Sequence, residues 1–316
     1  MTENQTSPAT DSTTPTAPTF GSSAPPLGAF AEIDGRRVFV HREGEGGPAV
    51  VFLPGASAIG LNYYGLQRRV AEFTTAVIYD RGGSGYSDSM PLPRSAEDVA
   101  TELRDLLHAQ DIPAPYVLVA HSLGGAYAQR FAQLFPDEVA GLVWLDAFHS
   151  DWDDYMPEEA SIAAGERMAP PVEQLRQALP FIRDFVAETY ADYPADLRDA
   201  VVDYHQSETW VQVGHAERGT MTPLVAELKA GPGFPDVPLI ALTPLAVDPN
   251  QAALMSEETL QAIHDGKTNL YQALADSVPH GEHRVLTDAN HSQLITERAD
   301  TIIEAIRDIV TQVNAA

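Results

Sequence analysis

One serine, Ser122, stands where an apolar run gives way to a helix-like one, in Val117-Leu118-Val119-Ala120-His121-Ser122-Leu123-Gly124-Gly125-Ala126. A strained strand-to-helix turn lifts a hydroxyl clear of a sheet and tolerates only small side chains two residues to either side. Ala120 and Gly124 meet that condition. The helix that follows aims its free N–H groups and positive end at the same point, where an oxyanion would develop during attack on a carbonyl. Taken alone, such a serine reads as an ordinary helix N-cap. As a nucleophile it needs a base, because a hydroxyl attacks poorly at neutral pH, and the base needs an acid to orient it. His121 is adjacent, but consecutive side chains at a sharp turn point apart, so it reads as a packing residue. His280 and His283 lack the helical spacing of a metal pair, and no metal site is expected there.

The chain that must hold these residues is strongly patterned from Ala29 onward. Phe30–Ile33 and Val38–His41 alternate around Asp34-Gly35, a two-residue hairpin signal. Ala49–Leu53, Ala76–Tyr79, Tyr116–Ala120 and Val139–Leu145 are short apolar runs of the kind that form buried strands. Helices are predicted between them over Tyr64–Phe73, from Ser95 (with Asp98 three positions on, a capping-box variant) to about Gln110, and over Leu123–Phe135. Buried strands alternating with helices predict an α/β fold, a mostly parallel sheet covered on both faces. Residues 149–236 then carry helical periodicity without a convincing buried strand, and this block reads as a helical cap inserted after the sixth strand. The sheet resumes at Pro238–Leu242, followed by helices at Glu257–Ile263 and Asn269–Ser277, a strand at His283–Leu286 and a closing helix over Ala299–Val313. The expected organisation is a tail over 1–29, core over 30–148, cap over 149–236 and core again over 237–316.

With the serine corner, this order of elements resembles the α/β-hydrolase family over nearly everything after the tail, in particular its capped, cofactor-free branch of esterases, lactonases, perhydrolases and dehalogenases. Ala120 departs from the usual Gly-x-Ser-x-Gly but stays small. Leu53-Pro54-Gly55-Ala56-Ser57 sits where the family has its His-Gly oxyanion loop, with Pro54 in place of the histidine. The resemblance implies oxyanion donors at the Ala56 and Leu123 backbone N–H groups. It implies a structural role for Tyr79-Asp80-Arg81-Gly82-Gly83-Ser84-Gly85, which fixes loops around the site. Of ten histidines, His291 lies in the family's context for the base, after a short strand and Asp288-Ala289-Asn290 and before the last helix. The acid is Asp146, at the end of Val139–Leu145, or alternatively Asp248, after the next core strand. Asp146 is preferred because a strand end can hold a carboxylate rigidly, whereas the turn before Asp248 has Pro244 for the usual Gly and one extra residue. Dehalogenases and epoxide hydrolases of this fold attack with an aspartate, and a serine at 122 argues against both.

Composition narrows the remaining classes. The chain has 316 residues, 44% of them hydrophobic, with 45 acidic and 19 basic side chains and no cysteine. That content supports a sizeable core, and the absence of thiols excludes disulfides, zinc-thiolate sites and cysteine nucleophiles. A formal net charge of −26 argues against nucleic-acid partners and anionic membranes, which need a basic footprint. No run of apolar residues is long enough to cross a bilayer, so no membrane insertion is expected. Residues 1–29, mostly Thr, Ser, Pro and Ala, lack the pattern of a signal peptide and read as a disordered tail dispensable for folding. The default location is the cytoplasm.

The expected activity is a serine hydrolase cleaving a carboxylic ester, lactone or related acyl bond through an acyl-enzyme, with no cofactor. The expected substrate is a medium-sized, apolar small-molecule compound, roofed by cap aromatics of which Trp152, Phe181 and Trp210 are the candidates. Two alternatives use the same fold: a perhydrolase or cofactor-free oxygenase, and a ligand receptor with vestigial turnover.

Overall fold

The computed structural model describes residue 20, residues 24–248, residue 252 and residues 255–316. Eight strands form one sheet: β1 (Ala29–Ile33), β2 (Arg36–Glu43), β3 (Val50–Leu53), β4 (Ala76–Tyr79), β5 (Tyr116–His121), β6 (Val139–Leu145), β7 (Leu239–Pro244) and β8 (Gly281–Leu286). Their order is β1-β2-β4-β3-β5-β6-β7-β8. β1 and β2 form the predicted hairpin, its turn made by Asp34 (φ 51°) and Gly35 (φ 73°), both left-handed as a two-residue turn of this twist requires. β2 runs antiparallel to β4, and from β4 to β8 every pairing is parallel. β3, β4, β6 and β7 are buried along their whole length and β5 up to Ala120, which is why they read as unbroken apolar runs.

Twelve α-helices accompany the sheet among the described residues. They are α1 (Tyr64–Val70), α2 (Ala96–Ala109), α3 (Gly124–Leu134), α4 (Trp152–Tyr155), α5 (Ile162–Met168), α6 (Val172–Thr189), α7 (Ala195–His205), α8 (Glu208–Arg218), α9 (Met221–Lys229), α10 (Glu257–Asp276), α11 (Leu294–Glu297) and α12 (Ala299–Ala315). Ser95 caps α2 as its spacing predicts, accepting from the Asp98 N–H at 3.0 Å. α4 to α9 all lie between β6 and β7 in the chain.

Two expectations change. The segments Glu257–Ile263 and Asn269–Ser277 belong to one helix, α10, of 20 residues. Gly266 interrupts the apolar pattern because the Tyr155 carbonyl closes on it: a Cβ there would lie 2.5 Å from that oxygen. The second change concerns the tail. Most of residues 1–29 lies outside the described residues, but Phe20 packs edge-on against Tyr86 and against Tyr204 of α7, each at 5.2 Å between ring centroids. No helix of the described residues is long and apolar enough to cross a membrane.

Candidate active site

Parallel strands end together, and the register here brings three loops side by side at their carboxyl ends. Leu53 pairs with Ala120 and His121 with Leu145, so the Pro54–Ser57 loop, Ser122 and Asp146 emerge next to one another. Ser57, Ser122 and Asp146 have φ of 60°, 52° and 45°, a left-handed backbone that non-glycine residues seldom adopt. The turn at Ser122 is tight enough to need glycines behind it. A Cβ on Gly124 would sit 2.2 Å from the Leu53 carbonyl oxygen, and one on Gly125 would sit 2.2 Å from that of Phe148.

His291 reaches this corner from the loop after β8. Its Nδ1–H donates to Asp146 Oδ2 at 2.8 Å, and its Nε2 faces Ser122 Oγ at 3.2 Å, so the hydroxyl donates to it. Asp248, the alternative acid, instead accepts from Ser292 Oγ at 2.9 Å. Asp146 is buried, which by itself would raise its pKa. Lys267 and the hydrogen bond from His291 outweigh that and hold the carboxyl far below its ordinary range. Lys267 Nζ lies 2.7 Å from Asp146 Oδ2 and donates also to the Pro244 carbonyl at 3.0 Å. Sequence reasoning missed this lysine. Its one signal was rarity, since Lys229 and Lys267 are the chain's two lysines.

The backbone N–H groups around the serine are nearly all engaged. Gly55 donates to Tyr63 Oη at 3.2 Å, Ser57 to Glu217 Oε2 at 2.7 Å, Ala58 to the Gly55 carbonyl at 3.2 Å and Ser122 to the Leu145 carbonyl at 3.4 Å. Ala56, Leu123 and Gly124 are the exceptions: none of these N–H groups has an acceptor among the described residues, and of the three Ala56 and Leu123 line the cavity in front of Ser122. Buried Arg81 fixes the loop that carries Ala56, donating to the Pro54 and Gly55 carbonyls at 3.1 and 2.9 Å and pairing with Glu217 of α8. This is how the Asp80–Gly85 segment acts on the site.

His121 stacks on His291 at 5.1 Å between centroids, and Tyr63 Oη donates to its Nδ1 at 2.8 Å. Burial first, and then the neighbouring His291, push its pKa down to about 3, so it stays neutral beside the site. His283 Nε2 pairs with Thr243 Oγ1 at 2.8 Å.

The cavity holds about 600 Å³. The sheet end contributes Phe148 and the residues above, and the helical segment contributes Trp152, the 160–170 stretch, Glu217, Arg218 and Met221. Of the three aromatics expected to roof the substrate, Trp152 lines this space, while Phe181 and Trp210 do not. Phe181 is 80% exposed because the inward stripe of α6 runs through Leu175, Leu179, Ile182 and Val186, and position 181 falls off it. Trp210 is spent on packing among the helices.

Residues 50–305 match the model of the alpha/beta hydrolase family, and the chain belongs to that family. It is 27% identical over 162 residues to 2-(acetamidomethylene)succinate hydrolase of Mesorhizobium japonicum, a match covering 51% of this chain and 56% of that one. The match to a Bacillus subtilis protein, YbdG, is 29% identical over 121 residues and spans 37% of that protein's length. Among solved structures, a thermophilic esterase from Thermogutta terrifontis superposes with TM-score 0.56 at 20% identity, covering 88% of this chain and 94% of that one. The epoxide hydrolase CorEH gives 0.66 at 17%, covering 91% and 99%. At such identities these likenesses speak for the fold.

Proposed function

We propose that this hydrolase cleaves a carboxylic ester, lactone or related acyl bond through a covalent acyl-enzyme. Ser122 Oγ attacks the carbonyl carbon while His291 Nε2 takes its proton. The oxyanion of the tetrahedral intermediate is held by the Ala56 and Leu123 N–H groups, and Asp146 keeps His291 in the tautomer that presents a lone pair to the serine. His291 then gives its proton to the departing oxygen. A water deprotonated by the same nitrogen attacks the acyl-serine and frees the acid. α4 to α9 roof the reaction, with Trp152 against the substrate.

The observation that carries this reading is the pairing of a His291 bridge, 3.2 Å to the serine and 2.8 Å to the aspartate, with two unengaged N–H groups facing one cavity. The epoxide hydrolase likeness does not weigh against it, since the position that would need an aspartate holds Ser122. Labelling with a fluorophosphonate and turnover of a short ester test it together. Ser122→Ala should abolish both while the protein stays folded, and Asp146→Asn should lose about ten-thousand-fold in kcat where Asp248→Asn loses a few-fold. Labelling that survives Ser122→Ala, or a dead Asp248→Asn beside an active Asp146→Asn, would overturn the assignment.

A further inference from the structure

Arg218 is a charged side chain of this cavity that the hydrolytic chemistry leaves unused. It closes α8, and its Nη1 donates to Ser57 Oγ at 2.6 Å and to the Gly214 carbonyl at 3.1 Å. Those bonds occupy both hydrogens of Nη1. Nε–H and Nη2, the other edge of the guanidinium, have no acceptor among the described residues, and neither is sealed in the interior. No carboxylate is left over for this edge. Glu217 gives Oε1 to Arg81 Nε and Oε2 to Arg81 Nη2 and the Ser57 N–H. Glu166 is turned to Thr222, accepting from its N–H at 2.6 Å and its hydroxyl at 2.8 Å at the start of α9. Arg81 offsets Glu217, and Glu166, which lines the same cavity, makes its hydrogen bonds to Thr222 and none to Arg218, so the free edge of Arg218 has no anionic partner among the described residues. Burial lowers its pKa, which reflects how much hydration the cation has given up. It remains protonated at working pH all the same.

We propose that Arg218 is an anion subsite and that the substrate carries a carboxylate in addition to the acyl bond that is cut, an inference that rests on the hydrolase reading above. The free Nε/Nη2 edge offers two parallel N–H bonds, the side-on geometry that a carboxylate fills. Arg218 is anchored on Ser57, the neighbour of Ala56, so the carboxylate would sit close beside the oxyanion hole. A short half-ester of a dicarboxylic acid fits that placement, its methylenes against Phe148, Trp152 and Met221, which line the same space. The substrate expected to be apolar thus gains one charged end.

The test compares monomethyl glutarate with its neutral carboxamide twin, both followed by pH-stat. The unmodified enzyme should favour the acid in kcat/KM, and Arg218→Met should reduce that acid-to-amide ratio by about 10–100-fold, the range for a lost charge-assisted hydrogen-bond pair. Arg218→Lys keeps the charge without the fork and should fall between. A ratio at or below one in the unmodified enzyme, or one that survives Arg218→Met in folded protein, overturns the proposal. A second arm needs no turnover: calorimetry with glutarate on Ser122→Ala protein should show binding that the added Arg218→Met, or Arg218→Lys where the methionine variant misfolds, weakens by a similar factor. Absence of glutarate binding there overturns the anion site. Failure of the hydrolase reading shows separately, as an unlabelled serine and no turnover of either ester, and calorimetry then decides the anion site alone.

Discussion

Asp146 Oδ2 receives two donors of opposite consequence. The Nδ1–H of His291, at 2.8 Å, belongs to the proposed catalytic relay, while Lys267 Nζ, at 2.7 Å, cancels much of the carboxylate's charge. An aspartate beside an imidazole stabilises its cation, and a lysine on the same oxygen takes part of that stabilisation away. Lys267 is therefore a positioning residue with an electrostatic side effect. In Lys267→Met the cation that holds the Asp146 carboxyl below its ordinary range is gone, so the stability gap to the unmodified protein should narrow as pH falls below about 4, where only the unmodified protein still has a depressed carboxyl to lose. The same variant should lose about 3 kcal/mol of stability, the low end for breaking a buried pair, since His291 still serves Asp146. A gap that stays constant down to about pH 3 would reduce Lys267 to a purely structural support.

At the scale of elements, the sheet strands and the serine corner were legible because both are local. A four-residue apolar run can be a buried strand wherever it occurs, and Gly124 and Gly125 mark the turn on their own. His291 and Asp146 were legible through chain order, with Asp146 distinguished by its place directly after β6. What escaped depends on helices meeting across the fold. Gly266 looks like a break until the Tyr155 carbonyl is seen against it, and the engagement of Glu217 and Arg218 with the Ser57 loop spans about 160 positions. Phe181 lies off the stripe that Leu175, Leu179, Ile182 and Val186 define along α6, a helical spacing already present in the sequence. Phe20 escaped because tail composition conceals a single anchoring ring. Its two edge-on contacts, one on the core loop and one on α7, tie the helical segment to the sheet. Each aromatic pair contributes about 1 kcal/mol beyond burial, so Phe20→Ala should lower Tm by roughly 3 °C in a chain of this size. Removal of residues 1–27 should do the same. An unchanged Tm in both would mean that the ring does not hold the two parts together.

For the molecule as a whole, the anion subsite sits inside a strongly negative protein. A net charge of −26 repels a carboxylate-bearing substrate at long range, whereas Arg218 attracts it only once it has entered the cavity. Salt separates the two effects by distance. Raising ionic strength from 0.01 to 0.15 M shortens the Debye length from about 30 to about 8 Å, which removes most of the far-field repulsion. The contact with a partly buried guanidinium is screened far less. Over that range kcat/KM for monomethyl glutarate should therefore rise severalfold, while that for its neutral carboxamide twin stays level. The gain should appear as a lower KM, because the chemical step at Ser122 is identical for the two esters and kcat reports it once bound. Arg218→Met separates the sources further: the variant still carries the negative surface, so its KM for the acid should keep the same salt slope at a weaker absolute value. Values of kcat/KM for the acid that fall with salt would mean that local attraction reaches beyond the pocket mouth and that the surface charge does not govern approach.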